Sequence, residues 1–441
     1  MGPGTAEYWQ GERTVRAGAR EGPVRRSLRR VLTVAFDVSV RASHEVEVRG
    51  LEHYTRARPT LIVATHRRDT DGPLLCSALI GRRGPLPHFV AREDLFRRGF
   101  LREYLTGWPR PLRELLGVID VAPVLELLHA HPMRRIPERT LWETLEDVLG
   151  VCGDLPLGEV LRPRWSAEFQ RLAPRRSGEL RVRDALGRRY RPLLRMRYGL
   201  SKLTRERFRA IKEHERRVIE AQLDHFVALL DRGESVQLEP EGTVSTDGGF
   251  HRLRNGLYAL LTRPRRALRV LPVGITYDFM CTGCQRVFVN VGPELVGLEE
   301  LPRREVNARV ARAIRALTTV TVSQLASRYL LQSVRGAAGR GISAEAMEAF
   351  VECQAARWKG AGLHVDPRAL DPRERGRRVR GYLRYCVRHG ALARRRGGVY
   401  VLRSDPPARS GLAPDVVHPL HYVENELSGV ARCTADAAAG A

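Results

Sequence analysis

Thr60-Leu-Ile-Val-Ala64 is a short apolar run rich in β-branched residues, and the polar stretch Thr65-His-Arg-Arg-Asp-Thr-Asp71 follows it directly. Such a run, bounded by turn residues, is typical of a strand that is buried on both faces. Strands that alternate with helix-like segments predict an α/β fold, in which helices cover both faces of a mostly parallel central sheet. Further apolar runs of this kind are His88–Ala91, Glu234–Leu238, Leu268–Ile275 and Arg286–Val291.

The same pattern divides the chain into three regions. Residues 1–50 predict an N-terminal helical segment, 51–300 the α/β domain, and 301–441 a mainly helical region with a frayed Ala/Gly-rich tail. Within the α/β domain, residues 137–204 mix arginines with aromatic residues without a clear period, which indicates an insertion. Arg377–Leu402 indicates a helix, a turn and a basic hairpin, as in a small winged-helix unit.

The composition is that of a folded and strongly basic protein. The chain of 441 residues is 43% hydrophobic and 28% charged, which excludes wholesale disorder, collagen and a coiled-coil rod. Its 75 Lys and Arg against 50 Asp and Glu give a formal net charge of +25. This charge predicts attraction to anionic lipid surfaces, nucleic acid or phosphorylated small molecules, without choosing among them. Seven irregularly spaced cysteines suit a reducing cytoplasm.

Membrane association is expected at the surface of a bilayer only. No stretch reaches the roughly 18 to 20 apolar residues of a spanning helix, so we expect neither a transmembrane anchor nor a secretory signal. Arginines flank the apolar residues of Ser27–Arg41, which makes it the best candidate for a membrane-surface helix. There Val31, Leu32, Ala35 and Phe36 are expected to share a face. The pattern is equally typical of an ordinary helix packed on the domain behind it.

A histidine and an aspartate form the first candidate site. His66 and Asp71 are separated by four residues and follow the first buried strand. A carboxylate that faces one ring nitrogen of a histidine fixes the tautomer whose other nitrogen accepts a proton, so the pair is suited to general-base catalysis on a substrate hydroxyl. Alternatively, Asp71 before Gly72-Pro73 is a good N-cap for the next helix.

A second candidate site follows the strand at Glu234–Leu238. The residues Pro240-Glu241-Gly242-Thr243 predict a tight loop, whose backbone N–H groups and threonine hydroxyl are suited to holding an oxyanion or a phosphate. A plain turn between a strand and a helix is the alternative interpretation. Because both loops follow buried strands of one sheet, their combination is more specific than either alone.

Taken together, the two loops resemble those of the glycerolipid acyltransferases, the family of the lysophosphatidic acid and glycerol-3-phosphate acyltransferases. Matching segments occur in the family's order between about residues 51 and 300. The resemblance implies that Arg134 or Arg135 binds the acceptor phosphate. The segments are His66-x4-Asp71 with Arg67 and Gly72-Pro-Leu-Leu75, Phe89–Phe96, His131-Pro-Met-Arg-Arg135, Pro240–Thr243, and Leu271-Pro272-Val-Gly-Ile275.

The resemblance implies an enzyme of phospholipid biosynthesis. It would move a fatty acyl group from acyl-CoA or acyl carrier protein to a hydroxyl of a glycerol phosphate or lysophospholipid, without a metal or organic cofactor. His66 and Asp71 would be catalytic, and seven further residues would bind the substrates. The enzyme would be cytoplasmic and peripheral on the inner face of the cell membrane. The binding residues are Arg67, Arg134, Arg135, Glu241, Gly242, Thr243 and Pro272.

Several positions depart from the family's pattern and leave the acceptor open. Arg68 stands where a serine is common, Glu239 where an aromatic residue usually precedes the proline, and Val244 where an arginine usually follows the threonine. Arg252 or Arg254 are further candidates for the missing phosphate contact. Two other functions remain as alternatives: a nucleic-acid-binding or regulatory protein, although nucleic acid is an unlikely partner, and a catalytically silent lipid-binding relative.

Overall fold

The computed structural model describes residues 22–54, 59–80, 86–96, 99–101, 109–134, 139–173, 179–336, 341–403 and 419–439. Contacts between Cα atoms divide the described chain into two compact units. The larger unit comprises residues 26–90 and 226–441, and the smaller comprises residues 22–25 and 91–225.

The strands are β1 (His44–Arg49), β2 (Thr60–Ala64), β3 (His88–Arg92), β4 (Ala130–Met133), β5 (Val236–Leu238), β6 (Arg269–Asp278), β7 (Gln285–Val291), β8 (Leu392–Arg394) and β9 (Tyr400–Leu402). The sheet of the larger unit has the order β1-β7-β6-β2-β5-β3. Neighbouring strands run parallel except for the hairpin of β6 and β7. This arrangement confirms the expectation of an α/β fold with a mostly parallel central sheet.

The helices surround this sheet or form the remaining parts of the two units. They are α1 (Pro23–Ser43), α2 (Asp71–Ile80), α3 (Arg110–Leu116), α4 (Ala122–Leu127), α5 (Leu141–Cys152), α6 (Leu157–Val160), α7 (Pro163–Leu172), α8 (Val182–Ala185), α9 (Arg191–Leu194), α10 (Arg205–Asp231), α11 (Asn255–Thr262), α12 (Arg303–Ala316), α13 (Val322–Gly336), α14 (Ala344–Gly360), α15 (Pro367–Leu370), α16 (Pro372–Arg388) and α17 (Pro419–Ala439).

The core of the larger unit joins the sheet to the C-terminal helices. Apolar residues of β2, β6 and β7 are almost fully buried together with residues of α13, α14 and α16. Such continuous burial is expected for strands covered on both faces, and it explains why these strands read as apolar runs in the sequence. The smaller unit has a separate core, built by the short helices α5 to α9 around Phe169 and Tyr190.

The N-terminal helix corrects one expectation about its faces. Val31 and Ala35 are exposed, whereas Leu32 and Phe36 are partly buried, so these residues do not share one environment. Residues one position apart on a helix are separated by about 100°, and only residues three or four apart lie on the same face. The face of α1 toward the core carries Phe36 and Val40, which are four residues apart.

The C-terminal part of the larger unit contains the helix, turn and hairpin expected for Arg377–Leu402. α14, α15 and α16 precede the antiparallel hairpin of β8 and β9, and Gly390, with φ of +75°, lies between α16 and β8. Ile342 pairs with Tyr400 through two backbone hydrogen bonds of 2.8 and 2.9 Å, which form one isolated bridge at the edge of the hairpin.

Candidate active site

The parallel sheet brings three strand ends to one edge. β2 pairs in parallel with β5 on one side and with β6 on the other. Because parallel strands end at the same edge, the residues after β2 and β5 meet the last residues of β6. His66, Glu241 and Tyr277 come together in this way from distant parts of the sequence.

His66 is buried and is held through its backbone and its ring. Its Nδ1 lies 3.4 Å from Oδ2 of Asp71. Its backbone N–H donates to Oε1 of Glu241 at 3.3 Å, and its carbonyl oxygen accepts from the backbone N–H of Ser245 at 3.1 Å. The first and second candidate loops are therefore joined directly at His66.

Asp71 is completely buried and accepts hydrogen bonds from three donors. Its Oδ2 accepts from the backbone N–H groups of Arg67 and Arg68, the latter at 2.7 Å. Its Oδ1 accepts from the Tyr277 hydroxyl at 2.5 Å. These donors lie in the loop before α2 and on β6, so the carboxylate organises the histidine loop rather than capping the helix, whose first residue is Asp71 itself. Burial and the neighbouring Asp71 raise the pKa of Tyr277 well above its ordinary value, which keeps this donor protonated.

Thr65 attaches the histidine loop to β6. Its hydroxyl donates to the carbonyl oxygen of Ile275 at 3.2 Å and accepts from the backbone N–H of the same residue at 2.9 Å. Pro272, predicted to bind substrate, is buried within β6 opposite Val63 of β2. The structure thus places Pro272 in the strand that supports the site.

The second candidate loop is fixed by Glu241. Its Oε2 accepts from the backbone N–H of His251 at 2.8 Å, while Oε1 holds the histidine loop. Gly242 has φ of +71°, a value that favours glycine, and its N–H donates to the carbonyl oxygen of Glu239 at 3.0 Å. Thr243 is half-buried after this turn. Glu241 is therefore a positioning residue between the two loops.

Glu239 also lies at the site. The sequence marked this position only because an aromatic residue usually stands there in the glycerolipid acyltransferases. Its Oε1 accepts from Nε2 of Gln237 at 2.9 Å, and it borders Gly72 at the start of α2. Burial raises the pKa of Glu239, an effect that the nearby His66 opposes. A second buried carboxyl group therefore lies beside the His66–Asp71 pair.

Arg67 is buried in an ion pair. Its Nε lies 3.2 Å from Oε1 of Glu426, and its guanidinium donates to the carbonyl oxygens of Gly248 and Gly249 at 3.1 Å each. Burial alone lowers the pKa of Arg67, but the carboxylate of Glu426 and other nearby acidic groups outweigh this effect and raise it. The side chain thus links the histidine loop to the C-terminal helix.

The C-terminal helix α17 also holds the loop that follows the second candidate site. Asn425 donates from Nδ2 to the carbonyl oxygen of Asp247 at 3.0 Å. Gly248 has φ of +80°, and a Cβ atom there would lie 1.8 Å from the carbonyl oxygen of Tyr422. Only glycine fits this close approach. Sequence patterns did not predict that this distant helix supports the site.

Arg134, one of the two arginines predicted to bind phosphate, belongs to the smaller unit. Arg134 is buried, with Nε and Nη2 at 3.1 and 3.2 Å from the carboxylate of Glu93 and Nη1 at 3.5 Å from Asp147. Its backbone N–H donates to Gln222 at 3.0 Å. Its charge is thus already neutralised within this unit. Arg135 lies outside the described residues.

Within the described ranges, no group of three or more His, Cys, Asp or Glu residues is placed to hold a metal ion. In the same part of the chain, no helix combines the length and the apolar character needed to cross a membrane.

Comparisons with known proteins add little to this geometry. Neither a protein-family model nor a curated protein matches the chain. One similar solved structure is the 1-acyl-sn-glycerophosphate (LPA) acyltransferase PlsC from Thermotoga maritima, with 14% sequence identity and a TM-score of 0.34. The alignment covers 70% of this chain and 86% of that one. A likeness at this TM-score is too slight to assign a fold or a function.

Proposed function

We propose that the protein transfers an acyl group from a thioester to the hydroxyl of a glycerol phosphate or lysophospholipid. The observation that carries this proposal is the contact of 3.4 Å between Nδ1 of His66 and the buried carboxylate of Asp71, whose other oxygen is held by Tyr277. A carboxylate at Nδ1 favours the tautomer with its proton there, which makes Nε2 the proton-accepting nitrogen.

In the proposed reaction, Nε2 of His66 takes the proton of the acceptor hydroxyl as its oxygen attacks the thioester carbonyl carbon. The tetrahedral intermediate then collapses, the carbon–sulfur bond breaks, and the proton on His66 passes to the leaving thiolate. Asp71 stabilises the imidazolium that forms between the two steps. The acyl thioester, as acyl-CoA or acyl carrier protein, is a co-substrate, and His66 carries the proton from the hydroxyl to the thiolate.

Purified protein should be incubated with radiolabelled acyl-CoA and a panel of glycerol 3-phosphate, lysophosphatidate and other lysolipids. We expect one acceptor to gain label in proportion to enzyme and time. A second series with acyl carrier protein as the donor identifies the thioester. If no acceptor gains label with either donor, the proposed activity is wrong.

We further propose that α1 binds the surface of an anionic bilayer, as expected for an enzyme whose acceptor or product is a lipid. Arg25, Arg26 and Arg30 are exposed near the start of the helix. Arginines beside an exposed apolar face complement both the headgroups and the acyl layer of an anionic membrane. The exposed apolar residues follow one another at helical spacing: Val24, Leu28, Val31, Val34 and Val38.

Val34→Asp in α1 is expected to weaken binding to vesicles that contain phosphatidylglycerol. The carboxylate would enter the bilayer interface at the centre of the apolar face, where it also faces anionic headgroups. Co-sedimentation measures the bound fraction. Val296→Asp is the matched control, because Val34 is 62% and Val296 67% exposed but only Val34 lies on α1. Equal loss in both variants would rule out α1 as the membrane contact.

A second candidate function, binding of nucleic acid, is favoured by the exposed face of α16. Five arginines there are exposed at spacings of three or four residues, whereas the opposite face is buried in the core. Three more exposed arginines lie at the tip of the β8–β9 hairpin. A cationic row without exposed apolar residues fits a phosphate backbone. The arginines are Arg373, Arg377, Arg380, Arg384 and Arg388 on α16, and Arg394, Arg395 and Arg396 on the hairpin.

Replacing Arg377, Arg380 and Arg384 together by alanine should reduce the salt dependence of duplex DNA binding, since the logarithmic slope falls by about one for each lost phosphate contact. Fluorescence anisotropy at several salt concentrations gives this slope. The control replaces the exposed Arg304, Arg309 and Arg312 of α12, which removes equal charge. Equal slopes in the two triple variants would mean that DNA responds to net charge alone and would rule out the α16 surface.

A further inference from the structure

Arg68 lies in the histidine loop, two residues after the proposed base His66. The backbone N–H of Arg68 donates to the carboxylate of Asp71. Its half-buried guanidinium lies over two aromatic rings, with Cζ 4.9 Å from the centroid of Tyr277 and 4.7 Å from that of Phe279. The Tyr277 ring that supports this cation is the one whose hydroxyl donates to Asp71. Tyr277 therefore contacts both the Arg68 cation and the carboxylate that faces the proposed base.

Arg68 differs from neighbouring arginines in its partners. Arg67 is paired with Glu426, and Arg254 donates from Nε to the carbonyl oxygen of Glu241 at 3.3 Å. Among the residues that the structure describes, no carboxylate forms an ion pair with the Arg68 guanidinium. A partly desolvated cation that has no carboxylate partner and belongs to the loop of the catalytic pair is a binding point for an anion.

The aromatic support fixes the position of Arg68 without using its hydrogen-bond donors. Tyr277 and Phe279 stack with their centroids 5.4 Å apart, and Tyr422 meets Phe279 edge-on at 5.5 Å. A guanidinium that lies over rings keeps the N–H groups at its edge for a bidentate contact with phosphate. Burial and the positive charge of Arg68 together lower the pKa of His44, which agrees with a positive field at this point.

We propose that Arg68 binds the phosphate of the acceptor and thereby selects acceptors that carry a phosphate group. This inference rests on the proposed acyl transfer and adds the residue that recognises its acceptor. The phosphate enters as glycerol phosphate or as the headgroup of a lysophospholipid. Arg68 could equally contact a phosphate of coenzyme A. Separate measurements of the KM for the acceptor and the KM for the thioester distinguish the two ligands.

The test compares Arg68→Ala and Arg68→Lys with the wild type and with Arg312→Ala, an exposed arginine of α12. In Arg68→Ala we expect the KM for the phosphate-bearing acceptor to rise roughly tenfold or more, with kcat and the KM for the thioester changed less than about twofold. Arg68→Lys should recover part of the loss, because lysine keeps the charge but not the bidentate geometry. Arg312→Ala should match the wild type.

Three outcomes would overturn the proposal. A rise in the thioester KM alone would assign Arg68 to the donor. Equal effects in Arg68→Ala and Arg312→Ala, or no change in either KM, would exclude Arg68 from acceptor binding. Arg68→Gln replaces Arg68→Ala if the alanine variant melts at lower temperature. If the wild type acylates nothing, the proposed function fails, and calorimetric titration with inorganic phosphate then decides the anion site by itself. Phosphate binding by the wild type that is lost in the Arg68 variants supports the site. Equal binding by the wild type and the variants, or no binding by the wild type, rejects it.

Discussion

His66→Ala should lower kcat for acyl transfer by roughly 10² to 10⁴-fold, the range that general-base catalysis contributes. The alanine side chain leaves no group to accept the hydroxyl proton, whereas the fold should survive because His66 is held mainly through its backbone bonds to Glu241 and Ser245. Steady-state rates with the acceptor found in the labelling assay measure the effect. A melting curve for each variant separates lost catalysis from lost structure.

The matched control for this prediction is His88→Gln. His88 is also largely buried and faces a carboxylate, with Nε2 3.1 Å from Glu234, but it begins β3 and so lies at the opposite edge of the parallel sheet. Its loss should leave kcat unchanged. Asp71→Asn tests the orienting role, because it keeps the shape of a completely buried side chain and removes its charge. Near-wild-type turnover in His66→Ala would exclude His66 as the base.

The central sheet could be predicted because its strands are buried on both faces. Burial of this kind favours uninterrupted apolar residues, which is the pattern of β2 and of Val287-Phe-Val289 within β7. β1 was not predicted, because the expected strands were uninterrupted apolar runs, whereas His44-Glu-Val-Glu-Val-Arg49 alternates polar and apolar residues, the pattern of a half-buried strand. β4 was not predicted either, because its four residues, Ala-His-Pro-Met, include a proline, which strands disfavour.

The His66–Asp71 pair could be predicted because both residues lie in one short loop. Tyr277 could not be assigned to it, as 206 positions separate this donor from Asp71 and only the pairing of β2 with β6 brings them together. One signal did exist. Residues two positions apart in a strand lie on the same face, so Tyr277 lies on the same face of the strand as Ile275. No comparable signal marks Arg68, whose function depends on rings that the fold supplies.

The C-terminal helix provides the other large expected effect, which is on stability. Glu426→Gln should reduce the free energy of unfolding by about 3 to 5 kcal/mol, because it leaves the buried Arg67 cation without its charged partner. The Arg67 and Glu426 side chains are only 3% and 1% exposed, so water cannot replace the lost carboxylate. Urea unfolding followed by fluorescence measures the change.

Glu424→Gln is the control on the same helix. Glu424 pairs with Arg328 at 3.2 Å, but these side chains are 23% and 15% exposed, and more exposed ion pairs contribute about 0 to 1 kcal/mol. Equal destabilisation by the two variants would mean that burial of the Arg67 pair is unimportant. Replacing both Arg67 and Glu426 with apolar residues, as Arg67→Met with Glu426→Leu, should recover most of the stability, since no unpaired charge remains. It should not recover full activity. The bonds from Arg67 to Gly248 and Gly249 hold the loop that follows Glu241, and the backbone N–H of Ser245 in that loop donates to the carbonyl oxygen of His66.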